Sequence, residues 1–333
     1  MKFITCASYY GSGSSVVTDF VSEFDNVKSL GETEFRFIQD PDGISDLEYN
    51  LVENFNRHNS GYALKKYKRM VDFQNGNFLL KRYREILGDS WYKYSYKYID
   101  ELTDFTYHGW WNYDTMSKGT LFYIRKRLLN KILKKTIWRK QPERTLNTMK
   151  NEITYCSHPT EDHFIEVTKK YISEMFKTVS DTKDIMMVDQ LVPPTNLSRY
   201  LRYFDDIKVV VVDRDPRDIY VLEKYVWRDG VIPNDVEKFC DWFIYTRQHR
   251  QQDNLNTENI KFIMFEDMVY NYEQQTDKLM NWLALDASNH THKKAVFNPD
   301  YSMKNTQTWK KYAVPKADIE YIEKRLADYL YSF

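Results

Sequence analysis

One stretch constrains this chain more than any other. Ile207-Lys208-Val209-Val210-Val211-Val212 runs straight into Asp213-Arg214-Asp215-Pro216-Arg217-Asp218. A near-continuous β-branched run suits a strand covered on both faces, the condition of a parallel sheet flanked by helices. The abrupt change to charge then falls at the carboxyl edge of that sheet, where open α/β folds bind their ligands. Pro216 fits the first turn of a following helix. Further apolar strands are expected at 2–7, 185–188 and 260–265. Helical patterns are expected at 15–24, from Pro193 and Pro194 to about 204, at 267–283 and at 315–330. Strands alternating with helices imply an α/β fold with a central parallel sheet. The middle, about 45–180, reads as a largely helical insertion. No repeat or low-complexity linker divides the 333 residues, so 1–333 is taken as a single domain.

The insertion differs from the rest in charge. The whole chain balances 48 Lys and Arg against 48 Asp and Glu, which argues against a nucleic-acid binder. Residues 61–150, however, hold 20 basic against 8 acidic side chains, together with Trp91, Tyr92, Tyr94, Tyr96, Tyr98, Phe105, Tyr107, Trp110, Trp111 and Tyr113. Rings for stacking and cations for steering would suit a carbohydrate or glycolipid acceptor; a solvated basic face over an aromatic core is the alternative. Within it, 120–139 is a basic amphipathic stretch with Leu121, Ile124, Leu128, Ile132 and Trp138 near one face. Packing of that stripe on the protein core is the expectation, and peripheral contact with anionic lipid the alternative. The longest aliphatic run, 209–212, is too short to span a bilayer, and the N-terminal apolar stretch is too short for a secretory signal. Three scattered cysteines, Cys6, Cys156 and Cys240, fit a reducing, cytoplasmic setting.

Two loops carry the chemistry. Ser8-Tyr9-Tyr10-Gly11-Ser12-Gly13-Ser14-Ser15 lies between a strand and a helix. Small residues there let backbone N–H groups converge on an anion, and the helix N-terminus adds partial positive charge. Overlaid on the G-x-x-x-x-G-K-[ST] phosphate loop, Gly13 and Ser15 match, Ser8 replaces the first glycine and Ser14 replaces the lysine. A plain turn with Ser14 or Ser15 as helix cap is compatible with the same arrangement. At the second loop Arg214 offers a guanidinium fork suited to phosphate. Asp213 could alternatively be the metal-binding aspartate of a nucleotide kinase or NTPase, a reading the missing lysine weakens.

Together, GSGSS at 11–15 and RDPRD at 214–218 resemble the sulfotransferases that use 3′-phosphoadenosine 5′-phosphosulfate (PAPS). Phe262-Ile263-Met264-Phe265-Glu266-Asp267-Met268-Val269, followed by Trp282-Leu283, resembles that family's strand ending in a YEDL-type turn. Lys304-Asn305-Thr306-Gln307-Thr308-Trp309-Lys310 resembles its C-terminal segment, which closes over the nucleotide. The resemblance covers roughly 1–25 and 185–333, and no motif matches the middle. It implies a P-loop-like three-layer fold and PAPS as co-substrate, with no metal. The nucleotide would be bound by Tyr10, Gly11, Ser12, Gly13, Ser14 and Ser15, by Arg214 on its 3′-phosphate, and by Lys304, Trp309 and Lys310. Two departures stand out: Gly11 replaces the family's loop cation, and Leu222 replaces a serine eight residues after the arginine, for which Lys224 or Lys304 would substitute. A catalytically inactive binding subunit is therefore a further alternative. The family's general base is a histidine or a carboxylate; Asp189 is the first candidate here, His108 and His58 the reserves. Cys156, His158, Glu161, Asp162 and His163 match no zinc spacing, and Pro159 with the acidic residues suits a helix start.

Overall fold

The computed structural model describes residues 1–77, 79–80, 82–248, 250 and 258–333. Among these, seven strands form: β1 (Lys2–Ser8), β2 (Val27–Glu34), β3 (Phe105–His108), β4 (Ile153–Cys156), β5 (Ile185–Asp189), β6 (Ile207–Asp213) and β7 (Ile260–Met264). Five build one parallel sheet in the order β2-β5-β1-β6-β7, with β1 central.

The valine run behaves as its composition demands. Val209 and Val211 belong to one hydrophobic cluster with Phe3, Ala7, Met186 and Val188. Val210 and Val212 belong to another with Ile4, Cys6 and Met187. Alternate side chains thus enter two separate cores, one on each face, which makes the fold three layers deep. Each fully buried valine contributes about 1.5–3 kcal/mol of burial free energy, which a charged residue in 209–212 would forfeit while also burying an unpaired charge.

The second cluster is covered by α1 (Ser15–Ser22), through Val16, Val17, Phe20 and Val21, and by helices around Phe265, Met268 and Leu279. The first is covered by the insertion: α2 (Arg57–Asn75), α3 (Ser90–Glu101) and, beyond α4 (Thr120–Lys135), α5 (Glu161–Lys177), which supply Tyr67, Trp91, Tyr98, Phe164 and Tyr171. Their polar tips are matched: Trp91 Nε1 donates to the Val71 carbonyl at 3.0 Å, and Tyr98 and Tyr171 hydroxyls pair with Thr168 (2.8 Å) and Ser95 (2.7 Å). The insertion therefore shares the sheet's core. A third cluster joins α6 (Pro216–Leu222), α7 (Val236–Gln248) and, after α8 (Tyr272–Trp282), α9 (Lys316–Arg325).

Several expectations are corrected. β2 and the antiparallel pair β3–β4 are not among the expected strands; β2 is partly exposed along its length and the β3 residues are exposed, so neither carries a strong apolar signal. The helix expected at 267–283 is broken at Asn271 into Phe265–Tyr270 and Tyr272–Trp282, and β7 stops at Met264. The helix after Pro194 is only Leu197–Leu201, and the last one spans Lys316–Arg325.

Candidate active site

β1, β5 and β6 end side by side at Ser8, Asp189 and Asp213, at the carboxyl edge of the sheet. The loop leaving β1 is curled by Ser12, whose Oγ and N–H both donate to the Tyr9 carbonyl, at 2.9 and 3.2 Å. Gly11 and Gly13 both sit at φ +77°, a region glycine alone enters freely. Ser14 occupies the N-cap of α1, yet its side chain caps nothing. The N–H groups of Gly13, Ser14 and Ser15 have no acceptor among the described residues. Free donors at a helix N-terminus are groups that can serve as an anion cradle.

That cradle opens on a cavity of about 180 Å³ whose other wall is Glu34, Arg36 and Gln190. Arg36 is the one cation lining it among the described residues. Its Nε donates to Asp40 at 2.9 Å, Nη1 lies 3.5 Å from Glu34, and its guanidinium stands 5.9 Å from the Tyr10 ring. Gln190, at φ +54°, donates from Nε2 to Ser8 Oγ and so ties β5 to the loop.

Gly11 cannot hold the missing loop cation. A Cβ there would lie 2.9 Å from the Trp227 ring and 3.2 Å from Ile219, on top of the positive φ. Cations near this loop include Arg36, which lines the cavity opposite it, and Arg214, which donates to the Gly11 carbonyl. Sequence reasoning missed both Arg36 and Glu34, because only the pairing of β2 with β5 brings them here.

Asp189 is 6 % exposed, and its Oδ1 has no hydrogen-bond partner. Burial, and next the charge of Glu34, pushes its carboxyl up to about 7. It lies opposite Glu34 in the β2–β5 register, next to the cavity-lining Gln190, and does not cap the following helix, whose N-cap is Asn196.

Arg214 is buried: Nη1 donates to the Gly11 carbonyl at 3.1 Å, Nη2 donates to the Asn305 carbonyl, and Nε has no partner. Its guanidinium also lies 4.6 Å from the Phe265 ring. Arg214 thus joins the β1 loop to the C-terminal segment. Asp218 completes the joint by accepting from the N–H groups of Gln307 and Thr308 and from Thr308 Oγ1. Trp309 stacks on Arg217, whose guanidinium is 3.9 Å from the ring. The cations expected beside it go elsewhere. Lys224 pairs with Asp318 at 2.9 Å, Lys304 is exposed over the Tyr301 ring, and Lys310 donates to Gln307. None of the three lines the loop cavity, and Leu222 is buried.

The reserve bases lie apart from the loop. His108 is in the exposed strand β3, and His58 stacks on Trp111 with centroids 3.9 Å apart. Between 156 and 163, His158 stacks on Phe55 and Thr160 caps α5. Asp213, the alternative metal aspartate, is held by both Arg247 and Arg250 at 2.8 Å.

No protein-family model matches the chain, and no curated protein matches it. Among solved structures it is similar to the sulfotransferase STF9 from Mycobacterium avium, at 12% identity and TM-score 0.40 over 98% of this chain and 76% of that one. It is similar to the sulfotransferase domain from the curacin biosynthetic pathway, at 11% identity and TM-score 0.40 over 98% and 97%. It is also similar to mouse sulfotransferase SULT7A1 complexed with PAP, at 16% identity and TM-score 0.30 over 46% and 69%.

Proposed function

We propose that this chain is a PAPS-dependent sulfotransferase acting on a hydroxyl or amine of a carbohydrate or glycolipid. The observation that carries the reading is the set of free N–H groups at 13–15, faced by Arg36, in a loop that Arg214 ties to the C-terminal segment through the Gly11 and Asn305 carbonyls. An ATP-using enzyme would need a lysine where Ser14 stands and an aspartate free for metal, whereas Asp213 is saturated by two arginines. The three cysteines are unpaired, which suits a cytoplasmic setting.

In such a transfer the acceptor oxygen attacks sulfur as the bond from sulfur to the phosphate oxygen breaks, in line. Positioning and charge stabilisation do most of the work. The free N–H groups of 13–15 hold the 5′-phosphate, and Arg36 meets the negative charge that builds on the departing oxygen. The acceptor proton passes to a carboxylate, for which Glu34 lines the cavity and Asp189 stands beside it; the two are separable by Glu34→Gln and Asp189→Asn. On the acceptor side, exposed Trp111 and Tyr113 border a second cavity of about 210 Å³ with His58, Tyr62 and Lys66. Lys66 pairs with Asp42 at 2.6 Å, six residues beyond Arg36 in the same segment. Aromatic faces beside a cation suit a sugar ring with polar substituents.

The test is a thermal-shift titration with adenosine 3′,5′-bisphosphate beside ATP with magnesium. A ligand at 100 times its Kd stabilises the folded state by about 2.7 kcal/mol, so binding is visible without knowing the acceptor. Selective stabilisation by the bisphosphate supports the reading; preference for ATP with magnesium overturns it.

A further inference from the structure

We propose that α4 seats this protein on an anionic lipid surface, lying in the plane of the membrane. The inference stands on the insertion alone and does not depend on the reaction.

α4 is 16 residues long and buries none of them. Its half-buried positions, Phe122, Lys126, Asn130 and Leu133, recur at helical spacing and mark the side that rests on the protein. Lys126 sits on that side with its ammonium 3.7 Å from the centre of the Trp110 ring. The apolar stripe points elsewhere: Leu121, Ile124, Leu128 and Ile132 are 80%, 47%, 54% and 57% exposed. A helix serving only the domain core would turn that stripe inward. For these four residues the expectation that the stripe packs on the core is corrected; Trp138, beyond the end of α4, is buried as expected.

Charge decides the occupant. α4 carries Arg125, Lys126, Arg127, Lys131, Lys134 and Lys135 and no acidic residue. Two copies facing each other through this surface would set like charges together. A nucleic-acid backbone would match the cations and leave the apolar stripe in water. A bilayer with anionic headgroups satisfies both, the stripe entering the acyl boundary while the flanking cations meet the headgroups. No helix among the described residues is long and apolar enough to cross a membrane, so α4 lies on the surface.

The experiment is sedimentation of the full chain with phosphatidylcholine vesicles, with and without 30% phosphatidylserine. The expected result is roughly tenfold or greater enrichment on the anionic vesicles, falling sharply in 0.5 M salt. Leu121→Glu/Leu128→Glu should abolish binding and leave the thermal midpoint unchanged, since both side chains are exposed. Lys131→Glu/Lys134→Glu should remove the preference for phosphatidylserine. No enrichment of the wild type, enrichment that both variants retain, retention on duplex DNA in place of vesicles, or a dimer that Leu121→Glu/Leu128→Glu dissolves would each overturn the proposal. Bisphosphate binding by the same variants reports separately on the reaction.

Discussion

Replacing Arg36 with alanine removes the cation that faces the anion cradle and leaves the cradle intact. Two of its nitrogens are engaged with Asp40 and Glu34, at 2.9 and 3.5 Å, while Nη2 has no hydrogen-bond partner among the described residues and can meet an anion. A hydrogen bond to a charged group is worth roughly 1.5–3 kcal/mol. Because the Arg36 side chain is 30% exposed, solvent screens part of that, and about 2 kcal/mol is the appropriate figure. At 25 °C this corresponds to a loss of about 30-fold in kcat. The acceptor need not be known: transfer of the sulfuryl group to water releases adenosine 3′,5′-bisphosphate, which chromatography quantifies. Charge grows on the departing oxygen only in the transition state, so kcat should fall by more than bisphosphate affinity. Asp40 and Glu34 are themselves partly exposed and stay solvated in the variant, so its thermal midpoint should stay within a few degrees. Arg36→Lys should recover part of the rate by restoring charge without the fork. A folded Arg36→Ala protein whose kcat is within threefold of wild type would refute the assignment of this cation.

Two other substitutions probe the site. The folded chain holds a proton on Asp189 up to about pH 7, while an unfolded aspartate loses it near pH 4, so stability falls as pH climbs between those values. Asp189→Asn abolishes that loss; its unfolding free energy in denaturant titrations should exceed wild type at pH 8, by up to about 4 kcal/mol, and not at pH 4, and equal pH dependence of the two proteins would contradict the buried carboxyl. Gly11→Lys places the family's cation back in the loop, but against Trp227 and at a positive φ. It should cost about 1–2 kcal/mol in denaturant titrations from the backbone alone and fail to raise turnover; a faster enzyme would show that the loop tolerates the cation.

What could be read in the sequence divides along a physical line. The 209–212 run is legible because burial on both faces favours a β-branched composition, and Gly11 and Gly13 because a positive φ with a Cβ clash at each site favours glycine. Arg214 was legible as a cation at a sheet edge, though not its bond to the Asn305 carbonyl, which links residues 91 apart. Glu34 and Arg36 were hidden because β2, an edge strand with Gly31 and Glu32 exposed, lacks an apolar pattern. Lys224 had the right charge, yet Asp318 on α9 claims it, and that partner is set by tertiary packing alone. The insertion's aromatics carried two meanings: Trp91 and Tyr98 are core, whereas Trp110, Trp111 and Tyr113 are exposed.

The joint made by Arg214 has a kinetic corollary. Its two terminal nitrogens already hold the Gly11 and Asn305 carbonyls, leaving Nε unclaimed. A phosphate that engages the full fork must therefore dislodge the Asn305 carbonyl, and with it the segment anchored on Asp218 by three hydrogen bonds. On the proposed reading of Arg214 as the 3′-phosphate ligand, entry and exit of the nucleotide would be tied to the lifting and reseating of residues 303–310. Such a coupling predicts a burst, with the first turnover outpacing those that follow, which rapid-quench measurement of adenosine 3′,5′-bisphosphate checks.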